Sequence, residues 1–168
     1  YELGRLMKEL GATQAINLDG GGSTTLVARE PGEADTSVQN VPSDGDQRRN
    51  GNGIGVTSRA SDGVLSGINI DVVGVKTNST RVFPGAHRGF VAKPHDRGGR
   101  PVEAEISWSS SDPAIFTVNA EGVITAVQTG SADLIAKSGD VEQRQQINVL
   151  EPLSYLTVTP TSLQLSLI

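Results

Sequence analysis

The chain contains no cysteine, so disulfide staples and thiolate chemistry are excluded. Aromatic residues make up 4% of it, with a single tryptophan, too few to build the exposed stacking platforms of a carbohydrate-binding module. Basic runs are missing as well. Arg48-Arg49 is the only adjacent pair of cations, and the formal net charge is −5, which argues against a nucleic-acid surface. No window is long or apolar enough to cross a membrane. The phosphate loop ending in Gly-Lys-Ser/Thr does not occur, nor does the dinucleotide fingerprint Gly-x-Gly-x-x-Gly, so ATP and NAD are not expected. His87 and His95 lie eight apart without partner ligands at metal spacing, and both read as surface loop residues.

What the chain does have is glycine, 20 residues of 168, as short strands joined by many turns require. The densest cluster follows an apolar run: Ile16-Asn17-Leu18-Asp19-Gly20-Gly21-Gly22-Ser23-Thr24-Thr25. One carboxylate, three glycines and three hydroxyls stand together there. Each glycine costs about 0.5–1 kcal/mol relative to alanine in ordered structure. Keeping three suits positive φ angles or close approach of another group to the backbone, such as a ligand whose oxygens accept from successive N–H groups. A tight turn with no ligand is the plainer reading of the same residues.

Length permits one domain or two. Leu3, Leu6, Met7 and Leu10 share one helical face, and Gly11 stands where a left-handed helix end belongs. Ala15 to Leu18 reads as a short buried strand, Thr24 to Ala28 as a second, residues 29–37 as an exposed loop and Val38 to Val41 as a third strand. Pro42-Ser43-Asp44-Gly45 is a turn sequence, and Gly53 to Thr57 reads as a last strand. Beyond Arg59 the helical periodicity stops. Short apolar patches, among them Ile68-Ile70-Val72, Phe116-Val118 and Ile147-Val149, recur at roughly the 8–12 residue spacing of an all-β sandwich. Trp108 is expected between its sheets. The chain opens with Tyr1 rather than Met and stops at Ile168 in an apolar run, as a segment of something larger would. The fold class expected is an α+β fragment followed by an all-β immunoglobulin-like sandwich. The boundaries are 1–58, a linker at 59–65, a sandwich at 66–150, and the start of a second repeat at 151–168.

Three segments in order carry a resemblance: Ala15 to Thr25, then Asn40-Val41-Pro42-Ser43-Asp44-Gly45, then Arg48 with Asn52-Gly53-Ile54-Gly55-Val56. Residues 1–58 resemble the C-terminal portion of the phosphodiester glycosidase (uncovering-enzyme-like) family. Arg49 stands where that pattern often has proline, and Asn50-Gly51 replaces a more apolar pair. Residues 66–149 are similar to the bacterial immunoglobulin-like domain of group 2. That likeness rests on Ile106-Ser107-Trp108-Ser109-Ser110-Ser111-Asp112-Pro113, Phe116 to Asn119, Glu121 to Val127 and Gly130-Ser131-Ala132. Leu156 to Pro160 with Ser162 to Leu165 resembles the opening of another copy.

The first resemblance implies hydrolysis of the bond between a sugar's anomeric carbon and a phosphodiester. Asp19 is the candidate catalytic carboxylate, with a turn-capping aspartate as the alternative. Gly20, Gly21, Gly22, Ser23 and Thr24 are candidates to bind the phosphate. Arg48 is a candidate bidentate clamp or a solvated loop arginine, and Asn52 orients substrate or satisfies a strand end. Asp44 is a candidate second acid or an ordinary turn residue. Asp44, Asp46, Asn50 and Asn52 offer oxygens of the kind calcium takes, but their spacing does not match the helix–loop–helix pattern; no cofactor is expected. The partner implied is a glycan or cell-wall polymer carrying sugar-1-phosphodiesters, outside the cell or on a bacterial surface. A non-catalytic surface adhesion or spacer protein is the alternative.

Overall fold

The structure is a computed structural model that describes residues 2–16, 21–49, 51, 53–74 and 79–154. The chain divides into two compact units, one of residues 1–30 and 35–57, the other of residues 31–34 and 58–168.

In the first unit α1 spans Glu2–Glu9, with Glu2 in its first turn and Lys8 in its last, each sign opposing the helix dipole. Gly11, at φ 84, ends it. The Gly11 N–H bonds the Lys8 carbonyl at 3.0 Å and the Ala12 N–H bonds that of Met7 at 3.0 Å, the two bonds of a Schellman stop. The apolar face expected from the spacing is formed but not covered: Leu3, Leu6 and Leu10 are all at least half exposed. Two short strands, β1 (Val27–Ala28) and β2 (Ser37–Val38), pair antiparallel with Val27 opposite Val38.

The strand expectations for this unit need correcting. Ala15 and Ile16 lie outside any strand and are exposed, and Asn17 and Leu18 fall outside the described residues. Thr24 to Ala28 and Val38 to Val41 contract to the two-residue ladder. Gly53 to Thr57 forms no strand at all, with Ile54 84% and Val56 96% exposed. A strand requires a ladder partner, and an apolar sequence pattern does not supply one.

The second unit is a sandwich of two four-stranded sheets. Its strands are β3 (Gly67–Val72), β4 (Arg81–Val82), β5 (His87–His95), β6 (Ser107–Ser110), β7 (Phe116–Val118), β8 (Val123–Ala126), β9 (Gly130–Ser138) and β10 (Val141–Val149). One sheet has the order β4-β10-β9-β6 and the other β3-β5-β8-β7. All neighbours run antiparallel except β4 and β10, which are parallel. Period-two alternation sends Ile68, Ile70 and Val72 of β3, Ala132, Leu134 and Ala136 of β9, and Ile147 and Val149 of β10 into one core with Phe90, Phe116 and Ile124. Gly139-Asp140 joins β9 to β10, with Gly139 at φ 57, as the first central position of a type II′ hairpin turn asks.

Trp108 lies half-buried against this core, on the inward side of β6. A Cβ on Gly122 (φ +78) would fall 2.6 Å from the Phe90 carbonyl oxygen and 2.9 Å from the indole, so only glycine lets that turn and ring meet. His87 and His95 are not in a loop. They are the two ends of β5, about 26 Å apart at 3.3 Å per residue. His87 pairs with the Thr125 hydroxyl at 2.9 Å, and half-buried His95 with the Asp96 carbonyl at 2.9 Å.

Residues 29–37 are likewise not wholly exposed. Gly32 and Glu33 are half-buried, and Pro31–Ala34 belong to the second unit. There the Asn69 amide donates to the Pro31 carbonyl at 3.0 Å, and Lys93 is ion-paired with both Glu33 and Asp71. Partial burial pushes the Lys93 ammonium down; the hydrogen bonds and charges of Asp71 and Glu33 outweigh that and hold its pKa above the ordinary lysine value.

Candidate functional site

Gly21–Ser23 forms a single 3-10 turn, closed by the Thr24 N–H on the Gly21 carbonyl at 3.2 Å. Gly21 sits at φ 70, a left-handed conformation that favours glycine. The chain then runs into β1, where Asn40 works from both ends of its amide. Its oxygen accepts from the Leu26 N–H at 2.7 Å and its nitrogen donates to the Thr24 carbonyl at 2.9 Å. With the Gln39 N–H on the Leu26 carbonyl at 2.8 Å, these bonds lay residues 37–40 alongside 24–28. The segment after Asn40 is thereby delivered to the glycine turn.

That segment is itself a turn. The Gly45 N–H bonds the Pro42 carbonyl at 2.9 Å, Pro42 is buried, and Gly45 takes φ 81. Two contacts join the turns. A Cβ on Gly21 would lie 3.7 Å from the Ser43 hydroxyl, and one on Gly22 would fall inside the Asp44 carboxylate. Asp44 in turn holds the Arg48 guanidinium, Oδ2 to nitrogen 2.6 Å, with the side chains 43% and 60% exposed. A carboxylate backed by a guanidinium therefore rests on the glycine backbone.

Of the residues singled out in the sequence, Gly21, Gly22, Asp44 and Arg48 come together. Ser23 is half-buried and Thr24 exposed beside them. Asp19, Gly20 and Asn52 lie outside the described residues. Asp46, weighed as a calcium ligand, accepts its neighbour Gln47's N–H at 2.7 Å, and Asn50 is outside the described residues. The sequence reading missed Asn40 and Ser43, although both lie in a segment it quoted. An asparagine before a turn signals a local Asx turn; bonds to residues 14 and 16 positions earlier leave no mark in the local sequence. It gave Thr25 no role of its own either, and the Thr25 hydroxyl is buried with no hydrogen-bond partner among the described residues.

Among the described residues, the most shifted carboxylate lies in the sandwich, also unforeseen. Asp96 is 1% exposed. One oxygen accepts from the Ser61 hydroxyl (2.6 Å) and the N–H groups of Asp62 (3.2 Å) and Gly63 (3.3 Å). The other accepts from the N–H groups of Gly98 (2.8 Å) and Arg100 (2.9 Å). The Ser61 hydroxyl does most to hold this carboxyl well below the usual range; burial opposes it, and the backbone donors add to the Ser61 effect. With both oxygens spent on the protein itself, it is a structural clamp.

The glycine turn, the Pro-Ser-Asp-Gly turn and the arginine behind them thus occupy one patch. Residues 1–57 match the phosphodiester glycosidase family model. This glycosidase-like segment contains every residue of the patch. A bacterial Ig-like domain model matches residues 104–150. The chain is 32% identical over 65 residues to ice-binding protein 1 of Shewanella frigidimarina (strain NCIMB 400), a stretch that is 38% of this chain and 7% of that protein. Among solved structures, domains 5–6 of the S-layer protein SbsC are similar at a TM-score of 0.43 and 24% identity, over 54% of this chain and 47% of that one. An intimin mutant of EHEC O157:H7 is similar at 0.39 and 22%, over 51% and 48%. The chain spans about half the length of these structures. Among the described residues, no helix is long and apolar enough to cross a membrane.

Proposed function

We propose that the glycosidase-like segment is part of a hydrolase of sugar-1-phosphodiesters, carried at the bacterial surface on an immunoglobulin-like spacer. The observation that supports this most is the meeting of the Gly21–Ser23 turn with Asp44 and Arg48. It brings a glycine turn, a carboxylate and a guanidinium together from segments far apart in sequence. Cleavage at an anomeric carbon develops an oxocarbenium-like centre and usually calls on two carboxyl groups. A phosphate leaves readily without strong protonation, so anion binding carries more of the work than acid assistance. In this reading Asp19 is the catalytic carboxylate. The amides of Gly20, Gly21 and Gly22, the hydroxyls of Ser23 and Thr24, and Arg48 with Asn52 hold the phosphate oxygens. The substrate class is a glycan or cell-wall polymer bearing sugar-1-phosphodiesters, and the Ig-like domain supports the surface location.

The test is sugar release from a panel of sugar-1-phosphodiesters by the whole protein beside its Asp19→Asn variant. The expected result is cleavage that falls about 10²–10⁴-fold in the variant. Cleavage that survives the substitution makes Asp19 structural. No cleavage by either protein favours the second reading, a non-catalytic surface spacer or adhesion protein. One observation supports that second reading: among the described residues of the first unit only Gly22 and Pro42 are buried, and every core hydrophobic belongs to the sandwich.

A further inference from the structure

We propose that the Asp44 carboxylate is a built-in occupant of the anion site, which a substrate phosphodiester must displace to reach Arg48 and the glycine turn. The inference rests on the phosphate-binding reading above and changes the part Asp44 plays in it. Asp44 becomes a gate on anion binding, not a second acid.

Gly22 supplies the first argument. Gly21 needs to be glycine because its φ is +70, but Gly22 has no positive φ. Backbone conformation therefore does not explain it. What explains it is the approach of the Asp44 carboxylate into the space a Cβ would take. The site is thus shaped around an anionic oxygen pair at this spot. Arg48 supplies the second. Its guanidinium already holds an anionic oxygen, Oδ2 of Asp44 at 2.6 Å, and a phosphodiester presents anionic oxygens of its own to the same planar fork.

Exposure decides whether exchange is feasible. With the partners 43% and 60% exposed, the Asp44–Arg48 pair is a surface ion pair, which water and salt weaken to a marginal interaction. A phosphodiester can replace Asp44 on Arg48 at little cost, whereas a carboxylate left in place would repel it. Asp44 follows Ser43 in a turn and precedes Gly45, so a side-chain rotation clears the site without unfolding the turn. The device favours ligands that bring further contacts, such as a sugar, over bare anions.

The experiment titrates inorganic phosphate and dimethyl phosphate into the full chain, its Asp44→Asn and Asp44→Ser variants, and an Asp44→Asn/Arg48→Gln double variant. Binding is followed by the backbone amide shifts of Gly21, Gly22 and Ser23, with those of Gln39 and Asn40 reporting an intact hairpin. Removing the charge of Asp44 is expected to tighten both anions about tenfold, and the gain is expected to vanish with Arg48. Unchanged or weaker binding in both single variants overturns the proposal, as does an absence of anion binding in all four proteins. Because the readout needs no turnover, an Arg48-dependent gain beside a failed sugar-release assay would sink the hydrolase reading while leaving the anion gate standing.

Discussion

Two stretches of the chain share one pattern and meet opposite fates. Ile54-Gly55-Val56 in the first unit leaves its apolar side chains 84% and 96% exposed, whereas Ile147-Asn148-Val149 in the sandwich buries them to 0% and 3%. The alternation is the same; what differs is company. Residues 147–149 lie between β9 and β4 and face a second sheet, while residues 54–56 have no strand beside them among the described residues. Among the described residues, thirteen apolar side chains form the sandwich core, and the first unit has no equivalent. Conversely the motifs that suggest chemistry all lie in the first unit, and the one buried carboxylate among the described residues of the sandwich is spent on the Ser61 hydroxyl and its own backbone. Burial and chemistry are segregated along this chain. Alternation records which face is apolar, and partner strands decide whether that face is covered.

The sharpest way to break the comparison is to truncate the buried member. Ile147→Ala is expected to cost about 2–5 kcal/mol, the usual toll of a fully buried aliphatic side chain and the cavity it leaves. Denaturant unfolding followed by the fluorescence of Trp108, the single tryptophan, checks it. A loss under about 1 kcal/mol would mean that the core repacks freely and that burial is a poor guide here. Next in size is Gly122→Ala, about 1–3 kcal/mol, because the new methyl meets the Phe90 carbonyl and the indole at a positive φ. Its distinguishing mark is a changed Trp108 emission in the still-folded variant, which an effect confined to the turn would not produce.

Asp96 sharpens the contrast through pH. Its folded-state pKa lies below the ordinary carboxylate value, so its stabilisation is whole above the unfolded value of about 3.9 and is lost as pH falls from there toward the folded value. The sandwich is expected to lose unfolding midpoint over that acid window. Asp96→Asn, which keeps the shape and one acceptor oxygen, is expected to start lower at neutral pH, by less than Ile147→Ala, and to lose that sensitivity. An unchanged acid profile in the variant would assign the sensitivity to other carboxylates and demote the clamp around Ser61–Gly63.

How much of this was legible in the sequence follows the same division. Helix α1 and its Gly11 stop could be read from local spacing, because both are settled within a dozen residues. So could the Pro42–Gly45 turn and the sandwich as a class, since turn residues and alternation are local signals repeated many times. The strand at 53–57 was over-read, as was the start of the one at 15–18, for the reason Ile54 and Val56 show. At the candidate site the residue types could be read but their use could not. Arg48 lies four after Asp44, a spacing that permits a pair, yet the carboxylate's seat on Gly22 is a contact between distant segments that the β1–β2 pairing, the Gln39–Leu26 bond and the Asn40 bridges bring about. Asp96 escaped for a related reason: in Asp-Arg-Gly-Gly-Arg it looks like a solvated turn, and its burial depends on Ser61, thirty-five residues earlier.

The smallest expected effect is the other half of the matched pair. Ile54→Ala removes the same atoms as Ile147→Ala from a side chain that is 84% exposed, so it forfeits almost no burial and leaves no cavity. The expected change is within about 0.5 kcal/mol, read from amide hydrogen exchange across residues 21–49, since Trp108 sits in the other unit and would not sense it. The substitution also tests the unpartnered state itself. If the whole protein, assayed with every segment that accompanies this chain in nature, loses more than about 1 kcal/mol, then Ile54 is buried there by a neighbour. The difference between the two isoleucines would then belong to what surrounds the first unit. If the change stays small in both contexts, the exposure of Ile54 is a property of the first unit, and the lack of a core there is intrinsic.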